Sequence, residues 1–302
     1  MVHHSRCPLC KNDQIIPFAR CTDYLVSKEE FQLCRCSECT FVFTQDYPEE
    51  SEIEKYYDSE EYISHTDSRR TAFEKAYHLV RRIMLKRKIS LIMRTSRLKT
   101  GTILDIGSGT GHFLSAVRDK RWKITGIESS QKARDYSLRE LGVEVLPPEK
   151  ITSIPAKSFD CITMWHVLEH FHDPFTYLTE VIRLLKPGGK CIIALPNCSS
   201  ADAIHYNRNW AAFDVPRHLW HFTPVTFNLF ISAAGLKIKT VRRLPFDVFY
   251  ISVLSEKNKG SRFNLFTGML KGLWFSFQTL FSRGKCSSLI YILVPVEPAV
   301  PS

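Results

Sequence analysis

The chain has 302 residues, a formal net charge of +10, 44% apolar and 24% charged side chains. Those fractions are ordinary for a folded globular protein and exclude wholesale disorder, while 13 Gly and 15 Pro exclude a collagen or a low-complexity linker. At roughly 100–200 residues per domain, this length predicts one large domain or a large one with a small one.

The charge is unevenly spread. Residues 1–68 carry a net −8, residues 69–99 a net +10, residues 100–234 a net +1 and residues 235–285 a net +8. The two basic segments either serve an anionic partner or are solvated faces. Side by side over one ligand edge, they would mark an anionic acceptor or an anionic surface. On opposite faces they would be plain solvated surface.

The chain opens without an apolar leader, and no run of 18 apolar residues follows. The expectation is therefore a cytoplasmic protein without a transmembrane segment. Reduced thiols in that compartment point to metal rather than disulfides. Cys7-Pro-Leu-Cys10 and Cys36-Ser-Glu-Cys39 form two C-x-x-C knuckles. Two such knuckles turn four thiolates onto one ion, which predicts a structural zinc ribbon over residues 1–48 held by Cys7, Cys10, Cys36 and Cys39. Cys34 is an alternative to Cys36, at the looser spacing. Ile15-Ile16 and Phe31-Gln-Leu33 read as strands of a hairpin. Cys161, Cys191, Cys198 and Cys286 stand singly in apolar runs and read as small buried hydrophobes.

Residues 49–99 read as an acidic linker followed by a basic helix from about Ser68, with Leu79, Ile83, Ile89, Ile92 and Met93 as its apolar stripe. Strands and helices then alternate. Strands are expected at Thr102–Ile106, Lys123–Ile127, Val143–Leu146, Phe159–Met164 and Lys190–Leu195. Helices are expected at 112–120, 130–141 and 173–185. That order predicts an α/β fold with a doubly wound, mostly parallel sheet whose ligands bind at the carboxyl ends of the strands.

Gly107-Ser-Gly-Thr-Gly111 follows the first strand and opens a helix, and Glu128 ends the second strand. Glycines let a ligand approach the backbone, and a carboxylate at that strand end can accept both hydroxyls of a ribose. The third glycine comes one residue early for a dinucleotide loop, and Asp105 would repel a pyrophosphate. An acid there suits a cationic ligand without phosphate, which points to S-adenosylmethionine.

At this point the chain resembles the class I S-adenosylmethionine-dependent methyltransferases. The matching pieces are Leu104-Asp-Ile-Gly-Ser-Gly-Thr-Gly-His-Phe113, Gly126-Ile-Glu128, Ser158-Phe-Asp160, His166-Val-Leu-Glu-His170 with Asp173-Pro174, and Leu185-Lys-Pro-Gly-Gly189. The resemblance implies a seven-stranded Rossmann-like methyltransferase domain over 100–302, with a helical insertion at about 246–285. It implies that Asp105, Gly107, Ser108, Gly109 and Gly111 line the methionine part of the cofactor. It places Glu128 at the ribose, the stretch around Glu149–Ile151 near the adenine, and Trp165 and His166 beside the sulfonium. A zinc ribbon ahead of such a domain is similar to that of certain sugar C-methyltransferases and of a group of ribosomal RNA guanine methyltransferases.

The acceptor side is expected in Asp214-Val-Pro-Arg-His-Leu-Trp-His-Phe-Thr-Pro224, ahead of a helix that Thr223 caps and Gly235 ends. If the acceptor must lose a proton, His218, His166 and His221 are the candidate bases. His170 and His172 read as structural, and His3, His4, His65 and His78 as solvated. A strand through Val241, helices at 247–255 and 264–281 rich in Phe, Trp and Lys, and a last, antiparallel strand at 288–293 complete the reading. The helical insertion is a lid over the acceptor, a face for a membrane surface, or core packing.

The resulting expectation is a methyltransferase for a small or carrier-linked acceptor such as a sugar, lipid or other metabolite. Two further readings are an RNA methyltransferase that uses the ribbon and basic segments, and a non-catalytic zinc-dependent scaffold.

Overall fold

The computed structural model describes residues 1–57 and 72–296. The start of the basic helix at Ser68, together with His65, lies outside the described residues, as do the side chains of His78 and Leu79.

The first elements are strands β1 (Ile15–Thr22), β2 (Glu30–Cys36) and β3 (Val42–Thr44), which pair antiparallel in that order. The hairpin expected from the apolar pairs is present. An element without a sequence signal completes the sheet: the two-residue strand β8 (Trp220–His221) pairs with β3. The cysteine-rich segment is thus stitched to a stretch nearly 180 residues later. Among the solvated histidines expected, His4 is an exception: it is half-buried, with Nε2 3.2 Å from Tyr47 Oη and its ring edge-on to Phe43.

Helix α1 (Ala72–Ser96) leads into the alternating region. Its elements are β4 (Thr102–Ile106), α2 (His112–Arg118), β5 (Lys123–Ile127), α3 (Gln131–Leu141), β6 (Phe159–Trp165), α4 (Pro174–Leu184) and β7 (Leu185–Pro196). After α5 (Ala201–Tyr206), β8 and α6 (Pro224–Ala233) come β9 (Leu236–Arg243), α7 (Asp247–Asn258), α8 (Asn264–Phe281) and β10 (Ser288–Pro295). Local chemistry sets the helix ends. Ser130 and Asp173 accept the Ala133 and Thr176 amides at their helix starts, and Thr223 with Thr226 forms a capping box ahead of Pro224.

The large sheet has the order β5-β4-β6-β7-β10-β9, parallel from β5 to β7 and antiparallel at β10 and β9. It holds six strands among the described residues, not the seven expected. The stretch Val143–Leu146 makes a single parallel bridge, Leu146 to Ile127, and then meets Pro147 and Pro148, which have no amide proton to continue a ladder. A second difference lies at Lys186-Pro-Gly-Gly189. Leu185 already pairs with Phe159, and Lys190 pairs with Cys161, so β7 starts at Leu185 rather than at Lys190 and carries the motif as a bulge.

Alternation along the strands gives the sheet two apolar faces. Leu104, Ile106, Ile162 and Ile193 pack with α4 and α6, while Ile103, Cys161 and Ile192 pack with Ile89 and Ile92 of α1 and Phe113 of α2. Helices on both faces make this the doubly wound arrangement. Among the described residues, no helix is long and apolar enough to cross a membrane.

Candidate active site

The loop 107–111 follows β4 and the turn 166–170 follows β6, so both lie at the carboxyl ends of neighbouring parallel strands. They touch: a Cβ at Gly107 would come 2.4 Å from Val167 Cγ2. Gly107 (φ +71°), Gly109 (φ +53°) and Gly111 (φ +77°) are all left-handed, and only glycine adopts that conformation cheaply three times in five residues. Space is open in front of Gly109, with nothing within 4 Å of a Cβ built there. Glu128 organises the loop, accepting from the amides of Gly109 and Ser130 at 2.9 Å each.

Asp105 is buried at 2% exposure, and its carboxylate accepts from Thr163 Oγ1 at 2.5 Å. Burial pushes its pKa up to about 7, against the pull of the Thr163 hydroxyl and of Lys88. Lys88 is a residue that sequence reasoning missed. It reaches in from α1 to set its ammonium 4.2 Å from the Trp165 ring centroid, and burial depresses its pKa against the fields of Asp105 and Asp247. Trp165 itself stands edge-on to Phe113. The buried Ser108 hydroxyl and the Trp165 indole N–H have no hydrogen-bond partner among the described residues. Open space, unpartnered donors and a buried acid match a cationic adenosine-type cofactor. The stretch around Glu149–Ile151 forms a 3-10 turn, Pro148–Ser153, just past the single bridge.

The second half of the site is a cluster of histidines and carboxylates. His166 sits in the left-handed region (φ +59°), its Nε2 2.9 Å from Asp247 Oδ2 and its Nδ1 3.5 Å from Glu169 Oε1. Burial alone would depress its pKa, but Asp247 and Glu169 outweigh it and raise the value to about 9. Glu169 is 1% exposed, and burial opposes its charge, yet facing His166, His218 and His170 it is held below the ordinary range. Ligand atoms of Glu169, His170 and His218 lie within 4.8 Å of one another.

His218 Nδ1 lies 2.9 Å from the Ala212 carbonyl, and its Nε2 lies 3.9 Å from Asp214 Oδ2. A carbonyl only accepts, so Nδ1 carries the proton and the lone pair of the neutral ring is on Nε2. His170 stands edge-on to it at 4.5 Å and meets Tyr57 Oη at 2.9 Å, and burial with the nearby His218 lowers its pKa to about 4. His221 lies on β8, with Nε2 3.0 Å from Thr44 Oγ1, and burial lowers its pKa to about 3. Its ring is engaged in joining β8 to β3 within the small sheet. Asp247 and Asp23 are members of this region without a motif of their own, while Glu169 and Asp214 lie in quoted segments that gave them no role.

The four predicted ligand cysteines converge. Cys7 and Cys39 Sγ are 3.6 Å apart, Cys10 and Cys36 Sγ are 3.5 Å apart, and all four atoms lie within 4.8 Å. Zinc–thiolate bonds of about 2.3 Å put tetrahedral sulfurs about 3.8 Å apart, so the set fits one ion. Cys34 instead lies on β2 opposite Phe43, outside that group.

A doubly wound sheet with a glycine loop and an acid at the next strand end defines a nucleotide-binding α/β fold. Residues 78–241, just over half of the chain, match a family model described as a methyltransferase domain, and the chain belongs to that family. It is a class I S-adenosylmethionine-dependent methyltransferase. Among curated proteins it is 25% identical to a ubiquinone biosynthesis O-methyltransferase of Idiomarina loihiensis over 52% of this chain and 70% of that one. It is 35% identical to the protein of the same description from Paracidovorax citrulli over 29% of this chain and 40% of that one. A solved S-adenosylmethionine-dependent methyltransferase from Archaeoglobus fulgidus is similar at 18% identity, covering 73% of this chain and 97% of that one, with a TM-score of 0.47.

Proposed function

We propose that the enzyme methylates a small or carrier-linked organic acceptor, deprotonating it at His218. The observation that carries this reading is the buried histidine–carboxylate cluster beside the glycine loop. The neutral form of His218 has a fixed tautomer with its lone pair on Nε2, 3.9 Å from Asp214 Oδ2. His166 is held as a cation by two carboxylates, so its role is to position the strand end against α7. The relatives described as ubiquinone biosynthesis O-methyltransferases support a small acceptor with a hydroxyl.

The cofactor supplies a methyl group on a positively charged sulfur. Asp105, Glu128, the loop Gly107–Gly111 and Trp165 would hold it, with the Asp105 carboxylate meeting its cationic end. With the cofactor bound, His218 Nε2 would take the proton of the acceptor's hydroxyl while the acceptor accepts the methyl group. Cys7, Cys10, Cys36 and Cys39 would hold a structural zinc ion that stiffens the N-terminal segment, and β3 carries that rigidity to β8 next to His218.

Isothermal titration of the full chain with S-adenosylmethionine tests the cofactor site: Asp105→Ala should abolish binding. Incubation of a metabolite and lipid extract with isotope-labelled cofactor, read by mass spectrometry, identifies the acceptor. Label appearing only in added RNA would overturn the small-acceptor reading.

A further inference from the structure

The helical pair between β9 and β10 shows solvent an unusual surface. Phe263 (75%), Phe266 (67%), Trp274 (59%), Phe277 (53%) and Phe281 (78%) are all exposed on or beside α8. The other side of α8 is packed against α7 without a gap. A Cβ at Gly268 would fall 2.5 Å from Val253 Cα, and one at Gly272 would fall 2.7 Å from Phe249 Cδ1. The pair is therefore a tight hairpin, about 27 Å long, with its apolar outer face uncovered.

The charge around that face has one sign. Lys257, Lys259 and Arg262 precede α8, and Arg283 and Lys285 follow it. The two carboxylates between residues 247 and 285 both point inward, Asp247 onto His166 and Glu256 onto Lys271. At the C-terminal end of α8 lies a groove of about 640 Å³ lined by Arg87, Arg242, Arg243 and Arg283 together with Leu280 and Val248. No carboxylate of the described residues lines it. Arg87 comes from α1, so both basic segments of the sequence meet here. Arg243 pairs with Leu289 and Ser288 pairs with Pro196, which puts the groove at the carboxyl edge of the sheet, the edge that carries the site.

We propose that this face docks the enzyme on an anionic phospholipid bilayer, with the α8 aromatics in the interface and the arginine groove on headgroup phosphates. Aromatic and leucine side chains on one face with cations at both ends is the pattern of an interfacial helix. A second copy is a poorer occupant, because it would bring the same positive rim against itself with no carboxylate to offset it. The chain's own residues 58–71 and 297–302 offer only Tyr62, Ile63 and Val300 as sizeable apolar side chains, too few to cover the face. An RNA would satisfy the charge but leave Leu265, Leu270 and Leu273, all at least half exposed, in water.

Docking is independent of the acceptor, so its test needs no turnover. The full chain is sedimented with phosphatidylcholine vesicles, with and without phosphatidylglycerol. Binding should require phosphatidylglycerol and weaken with salt. Trp274→Gln with Phe277→Gln should reduce it at least tenfold. Arg242→Gln with Arg283→Gln should reduce it about fivefold per charge removed. All four positions are exposed, and unchanged S-adenosylmethionine titration of both double variants checks that they fold. Absence of vesicle binding, equal binding to neutral vesicles, or double variants that bind like the parent would overturn the proposal. So would a concentration-dependent dimer in size-exclusion chromatography that the Trp274/Phe277 variant abolishes while vesicle binding is absent.

Discussion

Asp23 and Arg217 form an ion pair at 2.8 Å with both side chains essentially inaccessible to water, 0% and 1% exposed. Asp23 lies in the turn of the first hairpin and also accepts from the amides of Leu25, Val26 and Ser27. Arg217 lies in the loop before His218, where its guanidinium also engages Asp214 and donates to the Tyr56 carbonyl. The cysteine-bearing segment and the loop that carries His218 are therefore one unit, joined by this pair and by the β3–β8 ladder.

Removing one partner leaves a buried charge uncompensated, which costs about 3–5 kcal/mol. Arg217→Met should therefore lower the urea midpoint strongly, and Asp23→Ala should lower it less, because Asp214 still pairs with Arg217. Burial opposes the Asp23 charge, but Arg217 and the turn amides overrule it and bring the pKa down to about 2. A depressed carboxylate stabilises the fold above its unfolded value and loses that contribution as the pH falls. Unfolding measured between pH 4 and pH 2 should show this loss in the parent chain and not in Asp23→Ala.

Metal removal should act at a distance. Cys7 and Cys36 belong to the main apolar cluster, but Cys10 is exposed and residues 8–14 form no helix or strand, so the proposed zinc ion would add order to that segment. A chelator, or Cys36→Ser, should release about one zinc per chain in a colorimetric assay and lower the melting temperature. Because Thr44 Oγ1 donates to the His218 carbonyl at 2.7 Å, transfer to the acceptor should fall further than S-adenosylmethionine affinity does. Equal losses in both would point to general unfolding.

Cofactor affinity should depend on pH through Asp105. Burial raises its pKa to about 7 in the ligand-free chain, so half of the molecules carry the proton at that pH. A cationic ligand favours the ionised form. Affinity should rise about tenfold per unit up to pH 7, flatten above pH 8, and be accompanied by proton release in titrations run in two buffers. For stability the sign reverses: a raised carboxylate costs the ligand-free fold stability as the pH climbs from the ordinary carboxylate range through about 7. Asp105→Asn should remove both dependences.

The parts legible in the sequence are those with a period or a fixed spacing. The α/β alternation, the glycine loop and the two C-x-x-C knuckles each repeat a local geometric demand. What was hidden depends on partners far along the chain. A two-residue strand such as Trp220–His221 has no pattern, and Lys88, Asp23 and Asp247 acquire their roles only through residues that folding brings to them. The seventh strand failed on local chemistry, at Pro147 and Pro148. Two of the family-like motifs proved to be framework. Lys186 Nζ and the Thr102 amide both meet Asp160 Oδ2 at 2.8 Å, clamping the amino end of the sheet, opposite the site.

The histidines separate by their partners, and so should their variants. His218 donates through Nδ1 to a backbone carbonyl, which leaves Nε2 as the proton acceptor, so His218→Ala should lower kcat by about 10²–10⁴ with S-adenosylmethionine affinity retained. His221 is engaged with Thr44 and held neutral by burial, so His221→Ala should lower the melting temperature and leave kcat of the folded fraction near that of the parent. His166 keeps its charge to about pH 9 because Asp247 and Glu169 face it. Asp247→Asn removes one of those anions, so the alkaline limb of the rate profile should move to lower pH in that variant alone. Transfer of labelled methyl to the identified acceptor between pH 6 and pH 10 measures all three. A His218→Ala enzyme that retains parental kcat would move the base elsewhere in the cluster.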